Sequence, residues 1–311
     1  MSNLYRYADL FSGLGAMRLA FRSQTCVFSS EIDDAARKMY LENFGELPSG
    51  DIMAFEPEAI PDHDILCAGT PCPSFSIAGR RAGFNDPRGE LTLRTLDIIE
   101  TKRPRAVLLE NVKNLVTHDD GRTLAEITGR LRASGYTVHH RVFNALDWGL
   151  RQHRERIFIV GLLGETSWVW PWFKRSFPRQ TLDDVIEPTA NLDPTLRLSA
   201  RAVVRHADAV VRSGLPLPVM THENFAKHVS VKTYSMALRA KGSANAISIN
   251  GQRRPSPREL LRLQGFPDDY RIVVPDSHVR RLAGNALPVP IARQIAKHMV
   301  SALLFQKLGN A

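Results

Sequence analysis

Residues 69–76 read Gly-Thr-Pro-Cys-Pro-Ser-Phe-Ser, and the fold prediction starts from this stretch. The apolar run before it, residues 64–68 (Asp-Ile-Leu-Cys-Ala), is typical of a buried parallel strand. Prolines and a glycine interrupt regular structure after the run, so Cys72 is predicted to lie on a loop at the end of a strand. Open α/β sheets bind their ligands at the carboxyl ends of their strands. The stretch therefore predicts an α/β fold with a thiol at its ligand-binding edge.

Two further apolar runs are predicted to bring charged groups to the same edge. Residues 105–109 form a strand that ends in Glu110, and residues 156–160 form a strand that begins beside Arg154 and Arg156. If the first of these strands neighbours the strand before Cys72, a thiol and a carboxyl face one cleft. A cysteine alone would more often be a small buried residue, so the prediction rests on the combination.

The start of the chain has the pattern of a cofactor-binding turn. Residues 6–10 read as a strand, residues 11–15 (Phe-Ser-Gly-Leu-Gly) as a tight turn, and a helix begins at Ala16. Glycines let the backbone approach a ligand, and a helix N-terminus supplies N–H donors. A second strand, residues 26–30, ends in Glu31, and an acidic residue there commonly binds a ribose hydroxyl.

Other segments show clear periodicity. Residues 136–143 alternate like a strand and are predicted to pair with residues 156–162. Asp33 is predicted to cap a helix at its N-terminus. Helices are predicted over residues 33–43, 91–101, 121–134, 201–211, 257–264 and 289–305.

Residues 73–90 have neither helical nor strand periodicity. A long irregular segment inside a compact domain is usually functional or disordered. This one contains three glycines together with Arg80, Arg81 and Arg88, which suggests a loop that contacts phosphates.

Composition divides the chain and limits its function. The 311 residues are enough for a large domain and a smaller one. The predicted segments are 1–175, 176–276 and 277–311, and the last segment is predicted to return to the first domain.

The net charge of +9 fits a polyanionic partner, although an ordinary basic protein is equally compatible with it. Three cysteines form neither a disulfide framework nor a metal-ligand pattern, so a reducing cytoplasmic setting and no metal are expected. No apolar stretch is long enough to span a membrane.

Several segments, taken in order, resemble the motifs of the C5 DNA cytosine methyltransferase family. They are residues 9–15, 69–76, 110–112 (Glu-Asn-Val), 152–156 (Gln-His-Arg-Glu-Arg) and 284–288 (Gly-Asn-Ala-Leu-Pro). The resemblance covers almost the whole chain and is weakest from about residue 176 to residue 254. It implies a Rossmann-like, S-adenosylmethionine-dependent methyltransferase sheet with a small target-recognition domain.

The resemblance also implies a mechanism. Cys72 would add to carbon 6 of a cytosine flipped out of double-stranded DNA, Glu110 would assist at N3, and carbon 5 would take the methyl group, leaving S-adenosyl-L-homocysteine. Pro71, Arg154 and Arg156 complete the implied catalytic set. Arg156 would hold the cytosine O2, and Arg154 would orient Glu110 or the backbone.

Binding residues are implied in the same way. Phe11 would contact the adenine ring of the cofactor, Glu31 the ribose hydroxyls and Asp51 the adenine amino group. The full implied cofactor set is Phe11, Gly13, Leu14, Gly15, Ser30, Glu31, Ile32, Asp51, Ile52, Leu91, Asn285 and Ala286. DNA phosphates would be held by Ser76, Arg80, Arg81 and Arg88. A monomer is expected, acting on DNA in the cytoplasm as the modification part of a restriction-modification system.

The chain departs from the family pattern at Thr70, often glycine or an apolar residue, at Pro73, often glutamine, and at Ala16, often glycine. Three alternatives stay open on sequence. A tRNA cytosine methyltransferase shares the scaffold, but that branch tends to carry a Cys-Phe-Thr tripeptide that is absent here. A catalytically silent DNA-binding relative would not need Cys72 and Glu110. The interpretation as an NAD-dependent oxidoreductase would depend on the glycine turn of residues 11–15 alone, which lacks the full dinucleotide-binding fingerprint.

Overall fold

The computed structural model describes residues 4–70, 87–164, 167–171, 180–188, 194–241 and 246–309, excluding the side chains of residues 87–88 and 307–309. Contacts divide the chain into two units. The first comprises Met1–Phe143, Glu155–Trp172 and Val289–Ala311, and the second comprises Asn144–Arg154 and Phe173–Pro288. This division assigns residues 144–154 and 277–288 to the second unit, whereas composition had suggested boundaries after residues 175 and 276.

The elements are numbered in chain order. The strands are β1 (Arg6–Leu10), β2 (Thr25–Ser30), β3 (Ile65–Gly69), β4 (Ala106–Val112), β5 (Tyr136–Asn144), β6 (Gln152–His153), β7 (Glu155–Leu163), β8 (Met220–Glu223), β9 (Val229–Lys232), β10 (Ser235–Met236) and β11 (Ile247–Ile249). The helices are α1 (Ala16–Ala20), α2 (Asp34–Phe44), α3 (Pro87–Lys102), α4 (Arg122–Ala133), α5 (Ala200–Ser213), α6 (Pro257–Leu263), α7 (Asp276–Asn285) and α8 (Val289–Gly309).

The first unit is built on a sheet with the strand order β2-β1-β3-β4-β7-β5. The pairs β1–β2, β1–β3 and β3–β4 are parallel, and β7 runs antiparallel to β4. The predicted α/β class is confirmed, and so is the predicted pairing of β5 with β7. Strands β3 and β4 are neighbours, which meets the condition for placing Glu110 beside the end of the strand before Cys72. The carboxyl ends of β1, β3 and β4 therefore meet at one edge of the sheet.

Burial on both faces explains why these segments form central strands. The side chains of β3 from Ile65 to Ala68 are fully buried, and so are those of β4 from Ala106 to Leu108. One apolar cluster joins strands β1, β3 and β4 to the inward faces of α3 and α4. Because parallel strands are covered on both faces, their sequences are continuously apolar rather than alternating.

Helix ends follow local chemistry. The Asp33 carboxylate accepts hydrogen bonds from the backbone N–H groups of Ala35 and Ala36, which confirms the predicted cap of α2. In the second unit, Ser256 and Glu259 form a capping box at α6. No helix among the described residues combines the length and apolarity needed to cross a membrane.

The second unit holds smaller sheets and three α-helices, α5, α6 and α7, among its described residues. Strands β11, β8 and β9 form an antiparallel sheet, and β10 pairs in parallel with β6. Helix α7 was not predicted, because its exposed residues are polar and only Val279, Leu282, Ala283 and Gly284 are buried.

Candidate active site

The end of β4 presents a paired carboxylate beside the end of β3. Glu110 lies opposite Gly69 in the parallel register of β3 and β4. Its Oε1 atom is 3.0 Å from Nε of Arg156 on β7, and the two side chains are only 9% and 14% exposed. The predicted juxtaposition of Glu110 with the start of residues 69–76 therefore follows from strand pairing. The ion pair fixes the direction of the carboxylate.

A second contact ties the two strand ends together one residue further on. The Asn111 side-chain amide donates to Oγ1 of Thr70 at 3.0 Å, and its longer contact to the Thr70 carbonyl oxygen is 3.4 Å. Both residues are buried, and the Asn111 side-chain carbonyl oxygen in turn accepts the backbone N–H of Val112. Thr70, where the family often has glycine or an apolar residue, thus provides a hydroxyl that accepts a hydrogen bond from the Asn111 side chain. The same Asn111 amide also contacts the Thr70 backbone carbonyl.

Arg154 has a different environment from Arg156. Its guanidinium is fully buried and donates to the backbone carbonyls of Leu238, Gly284 and Ala286 at 3.0, 2.9 and 2.6 Å. All of these residues belong to the second unit. These bonds agree with the backbone-orienting alternative predicted for Arg154, and its catalytic role stays a prediction.

The turn after β1 has the backbone geometry of a ligand-binding turn. Phe11, Gly13 and Gly15 all adopt positive φ, at 56°, 52° and 74°. A Cβ atom on Gly15 would lie 2.2 Å from the ring of Phe44 and would be strained at this φ, so both packing and backbone conformation favour glycine there. The carboxylate of Glu31 accepts the backbone N–H of Gly13 at 2.9 Å and that of Asp33 at 2.8 Å. Glu31 therefore joins the glycine turn to the end of β2.

Buried polar atoms without partners surround this turn. The Ser12 backbone N–H donates to the Ser30 carbonyl at 2.9 Å, so the two residues are adjacent. Both hydroxyl groups are buried and have no hydrogen-bond partner among the described residues. Such atoms are rare in folded proteins and call for an explanation. A polar ligand at the carboxyl ends of β1 and β2 would satisfy them.

Burial raises the pKa of Glu31 above its ordinary value, while the backbone hydrogen bonds from Asp33 and Gly13 oppose that rise. Of the other predicted cofactor residues, Leu14, Ser30 and Ile52 are buried, Leu91 is half-buried, and Ile32 and Asp51 are exposed. The Asp51 carboxylate accepts the backbone N–H of Met53 at 3.0 Å. Asn285 and Ala286 lie at the end of α7 in the second unit.

The remaining predicted site residues cannot be placed. Pro71, Cys72, Ser76, Arg80 and Arg81 and the side chain of Arg88 lie outside the described residues. Across the part of the chain that is described, no cluster of histidine, cysteine and carboxylate side chains could hold a metal ion.

One charged residue of the site was missed by the sequence prediction. Asp9 is fully buried on β1, and neither carboxyl oxygen has a partner among the described residues. Burial, opposed by Arg18 and reinforced by Glu31 and Glu46, raises the pKa of Asp9 to about 8. Its signal was present, because Asp9 is a charged residue inside the otherwise uncharged run from Tyr7 to Leu10.

Asp9 predicts a pH dependence of stability. Its folded-state pKa lies above the ordinary value of 3.8, so the folded protein retains a proton that the unfolded chain releases. This stabilisation is complete below about pH 4 and is lost as the pH rises through about 8. Between those pH values, the contribution of Asp9 makes the unfolding free energy of wild type fall as the pH rises, by up to about 1.4 kcal/mol per pH unit. Asp9→Asn lacks this contribution, so its unfolding free energy should fall less steeply.

Denaturant unfolding of wild type and Asp9→Asn at about pH 5 and about pH 8 measures this difference. Comparing each protein with itself removes the fixed cost of burying an amide. Identical pH dependence in the two proteins would show that Asp9 is not protonated in the folded state.

The chain is similar to known proteins over nearly its whole length. The family described as C-5 cytosine-specific DNA methylase matches residues 5–301. The Type II methyltransferase M.NgoBI of Neisseria gonorrhoeae is 46% identical over 99% of this chain and 96% of the relative. The Type II methyltransferase M.HaeII of Haemophilus aegyptius is 45% identical over 96% of this chain and 94% of the relative. The solved Entamoeba histolytica methyltransferase EhMeth shares the fold, with a TM-score of 0.74 at 16% identity over 97% of this chain and 99% of that one.

Proposed function

Because this chain belongs to the C-5 cytosine-specific DNA methylase family, we propose that it methylates carbon 5 of one cytosine in a short duplex sequence, with Cys72 as nucleophile. The family and the fold are those of S-adenosylmethionine-dependent methyltransferases. The observation that carries the proposal is the parallel register of β3 and β4. It sets Glu110 opposite Gly69, three residues before Cys72.

Cys72 is proposed to add its thiolate to carbon 6 of the ring. Carbon 5 of cytosine is a poor nucleophile, and this addition makes it electron-rich. The carbon-6 atom lies inside a stacked duplex, so the target base must first be flipped out. After methyl transfer, loss of the carbon-5 proton expels Cys72 and restores the aromatic ring.

Glu110 is proposed to act at N3 of the cytosine. Thiolate addition places negative charge on the ring, and a proton or hydrogen bond at N3 relieves it. The ion pair with Arg156 supports this role, because it holds the carboxylate in one direction at the edge where Cys72 follows β3. Asn111 and Thr70 support it as well, because they fix the end of β3 against β4.

The residues around the β1 turn fit S-adenosylmethionine, which supplies an electrophilic methyl group when bound. The unpartnered hydroxyl groups of Ser12 and Ser30 provide polar contacts for such a ligand. The carboxylate of Glu31 is already directed at the glycine turn. Phe11, held at positive φ and half-buried, is proposed to contact the adenine ring.

Removing the acidic cofactor contacts should weaken cofactor binding and leave DNA binding nearly unchanged. Loss of a charged hydrogen bond in Glu31→Ala or Asp51→Ala should cost roughly 1.5–3 kcal/mol, or about a 10- to 100-fold loss of affinity. Titration calorimetry with S-adenosylmethionine measures the effect. Glu126→Ala, which removes an exposed carboxylate on α4, is the matched control. Unchanged cofactor affinity in both Glu31→Ala and Asp51→Ala would show that S-adenosylmethionine does not bind in the pocket proposed around these residues.

A covalent trap tests the proposed nucleophile. DNA containing 5-fluorocytosine should form an adduct that survives denaturation, because fluorine cannot leave as a proton and Cys72 cannot be expelled. Genomic DNA from cells grown with the analogue carries 5-fluorocytosine in a great many sequence contexts, so the recognition sequence need not be known beforehand. Failure to form the adduct with wild-type protein and cofactor would contradict covalent catalysis.

The second unit is proposed to contain the target-recognition domain, and the enzyme to act as a monomer on cellular DNA in the cytoplasm. The names of the relatives support a role in restriction-modification. Exchanging residues 176–254 with those of a relative should change the methylated sequence and leave the chemistry intact.

A further inference from the structure

The backbone pairing of β3 with β4 ends three residues before Cys72. Its last pair sets Gly69 opposite Glu110. The next residues of the two chains are Thr70 and Asn111, and there the connection passes to side chains. Nδ2 of Asn111 donates a hydrogen bond to Oγ1 of Thr70 at 3.0 Å. This bond extends the pairing of the two strands one residue further towards Cys72.

The sequence after Thr70 is poor in backbone donors. Residues 71 and 73 are both proline, and proline has no backbone N–H group. Of residues 71–73, only Cys72 can therefore donate a backbone hydrogen bond. Thr70 is also the last described residue before Cys72. A bond that fixes Thr70 thus fixes the point from which the chain leaves the sheet towards the proposed nucleophile.

The hydrogen bonds of Asn111 determine which way its amide group points. Its Oδ1 atom accepts the backbone N–H of Val112 at 2.8 Å, so the amide nitrogen is the atom that is left to face Thr70. Asn111 and Thr70 are both buried, so water does not replace a lost partner easily. Without the Thr70 hydroxyl, the amide would keep only its longer contact of 3.4 Å to the Thr70 carbonyl oxygen. A buried donor that loses its partner is destabilising, so the hydroxyl favours this single arrangement.

The carboxylate of Glu110 is fixed by the same end of β4. Its Oε1 atom is held by Arg156, and its Oε2 atom would lie 3.5 Å from a Cβ atom built on Gly69. Two consecutive residues of β4 therefore hold the proposed N3 partner and the start of the segment that carries Cys72. Reactions between positioned groups are sensitive to geometry, and a misplacement of about 1 Å can cost roughly 100-fold in rate.

We propose that Thr70 is a positioning residue for methyl transfer: its hydroxyl, held by Asn111, sets the position of Cys72 relative to Glu110. The proposal rests on the proposed function, since it takes Cys72 as the nucleophile. Thr70 acts through the chain that joins it to Cys72 and not through contact with the cytosine or the cofactor. Glycine or an apolar residue, which the family often has at this position, could not accept the Asn111 hydrogen bond. The assignment is therefore specific to this chain.

The test compares Thr70→Val, which removes the hydroxyl and keeps the branched shape, with Thr70→Ser, which keeps the hydroxyl. Unmethylated genomic DNA and S-adenosylmethionine are the substrates. At saturating concentrations of both, Thr70→Val should slow single-turnover methyl transfer by about 10- to 100-fold. The DNA and cofactor concentrations that give half-maximal rate should not change, because Thr70 contacts neither. Thr70→Ser should restore most of the wild-type rate.

Thr128→Val is the matched control, because it removes another buried threonine hydroxyl. Thr128 lies on α4 and donates to the Ala125 carbonyl at 3.2 Å, outside the proposed site. It should methylate at the wild-type rate. Thermal unfolding of every variant shows the folded fraction to which each rate refers. Thr70→Ala removes the same hydroxyl in a smaller side chain and gives the same comparison if valine prevents folding.

A normal rate in the folded fraction of Thr70→Val would overturn the proposal, even if its melting temperature fell, because the bond would then be structural only. Equal slowing in Thr70→Ser and Thr70→Val would also overturn it, since the hydroxyl would not be the cause. So would a weaker dependence on DNA or cofactor concentration with an unchanged saturating rate. In these cases the fluorocytosine adduct of wild type would still support the proposed function. Wild type that forms neither adduct nor methylated DNA would overturn the proposed function, and the role of Thr70 with it.

Discussion

Replacing Cys72 by serine should reduce methylation to background while S-adenosylmethionine binding stays unchanged. A serine hydroxyl is far less ionised than a thiol at neutral pH, so it cannot add to carbon 6 at a useful rate. None of the proposed cofactor residues is Cys72 itself, and most follow β1 or β2, so cofactor binding should not depend on the thiol. Tritiated methyl transfer to DNA and calorimetric cofactor titration measure the two properties on one preparation.

Cys26→Ser is the matched control for this substitution. Cys26 is a partly buried thiol on β2, where it contacts the Phe28 carbonyl, and it has no place in the proposed chemistry. The control should retain methylation. Normal methylation by Cys72→Ser would show that Cys72 is not the nucleophile.

Glu110→Gln should slow methyl transfer by about 100- to 10,000-fold, the usual effect of losing acid–base catalysis. The amide keeps the shape of the carboxyl group but cannot transfer a proton to N3. Its oxygen can still accept from Arg156, so stability should fall by less than the roughly 3–5 kcal/mol typical of a broken buried ion pair. Single-turnover methylation and thermal unfolding on the same sample separate the two effects.

Glu155→Gln provides the control, because it makes the same chemical change one strand away. Glu155 on β7 pairs with Lys113 at 2.9 Å and is partly exposed. It should retain the wild-type rate. A large loss of melting temperature in Glu110→Gln, with near-normal methylation by the folded fraction, would make Glu110 a structural partner of Arg156 and not a catalyst.

Much of the first unit could be predicted from sequence because its strands are buried on both faces. The strand before Cys72 was predicted at residues 64–68 and is found at Ile65–Gly69. The strand that leads to Glu110 was predicted at residues 105–109. It is found at Ala106–Val112, so it continues through Glu110. A continuous apolar run leaves little alternative to a central strand, and polar residues at its end then mark the ligand edge.

Contacts between distant segments could not be predicted. The carbonyl partners of Arg154 lie 84, 130 and 132 residues away, and no local pattern encodes them. The bond between Asn111 and Thr70 depends on the register of β3 against β4, which sequence periodicity does not specify. Asp9 was overlooked because the burial of a carboxyl depends on what packs over it, which the sequence of its own strand does not specify.

The most direct test of the central claim is a base-resolution map of 5-methylcytosine in the DNA and tRNA of a methylation-free host that expresses the chain. We expect methylation of one cytosine within a single short duplex sequence across the genome, and no methylation with Cys72→Ser. Unmethylated genomic DNA together with methylated tRNA cytosine would contradict the account and identify an RNA enzyme built on the same fold.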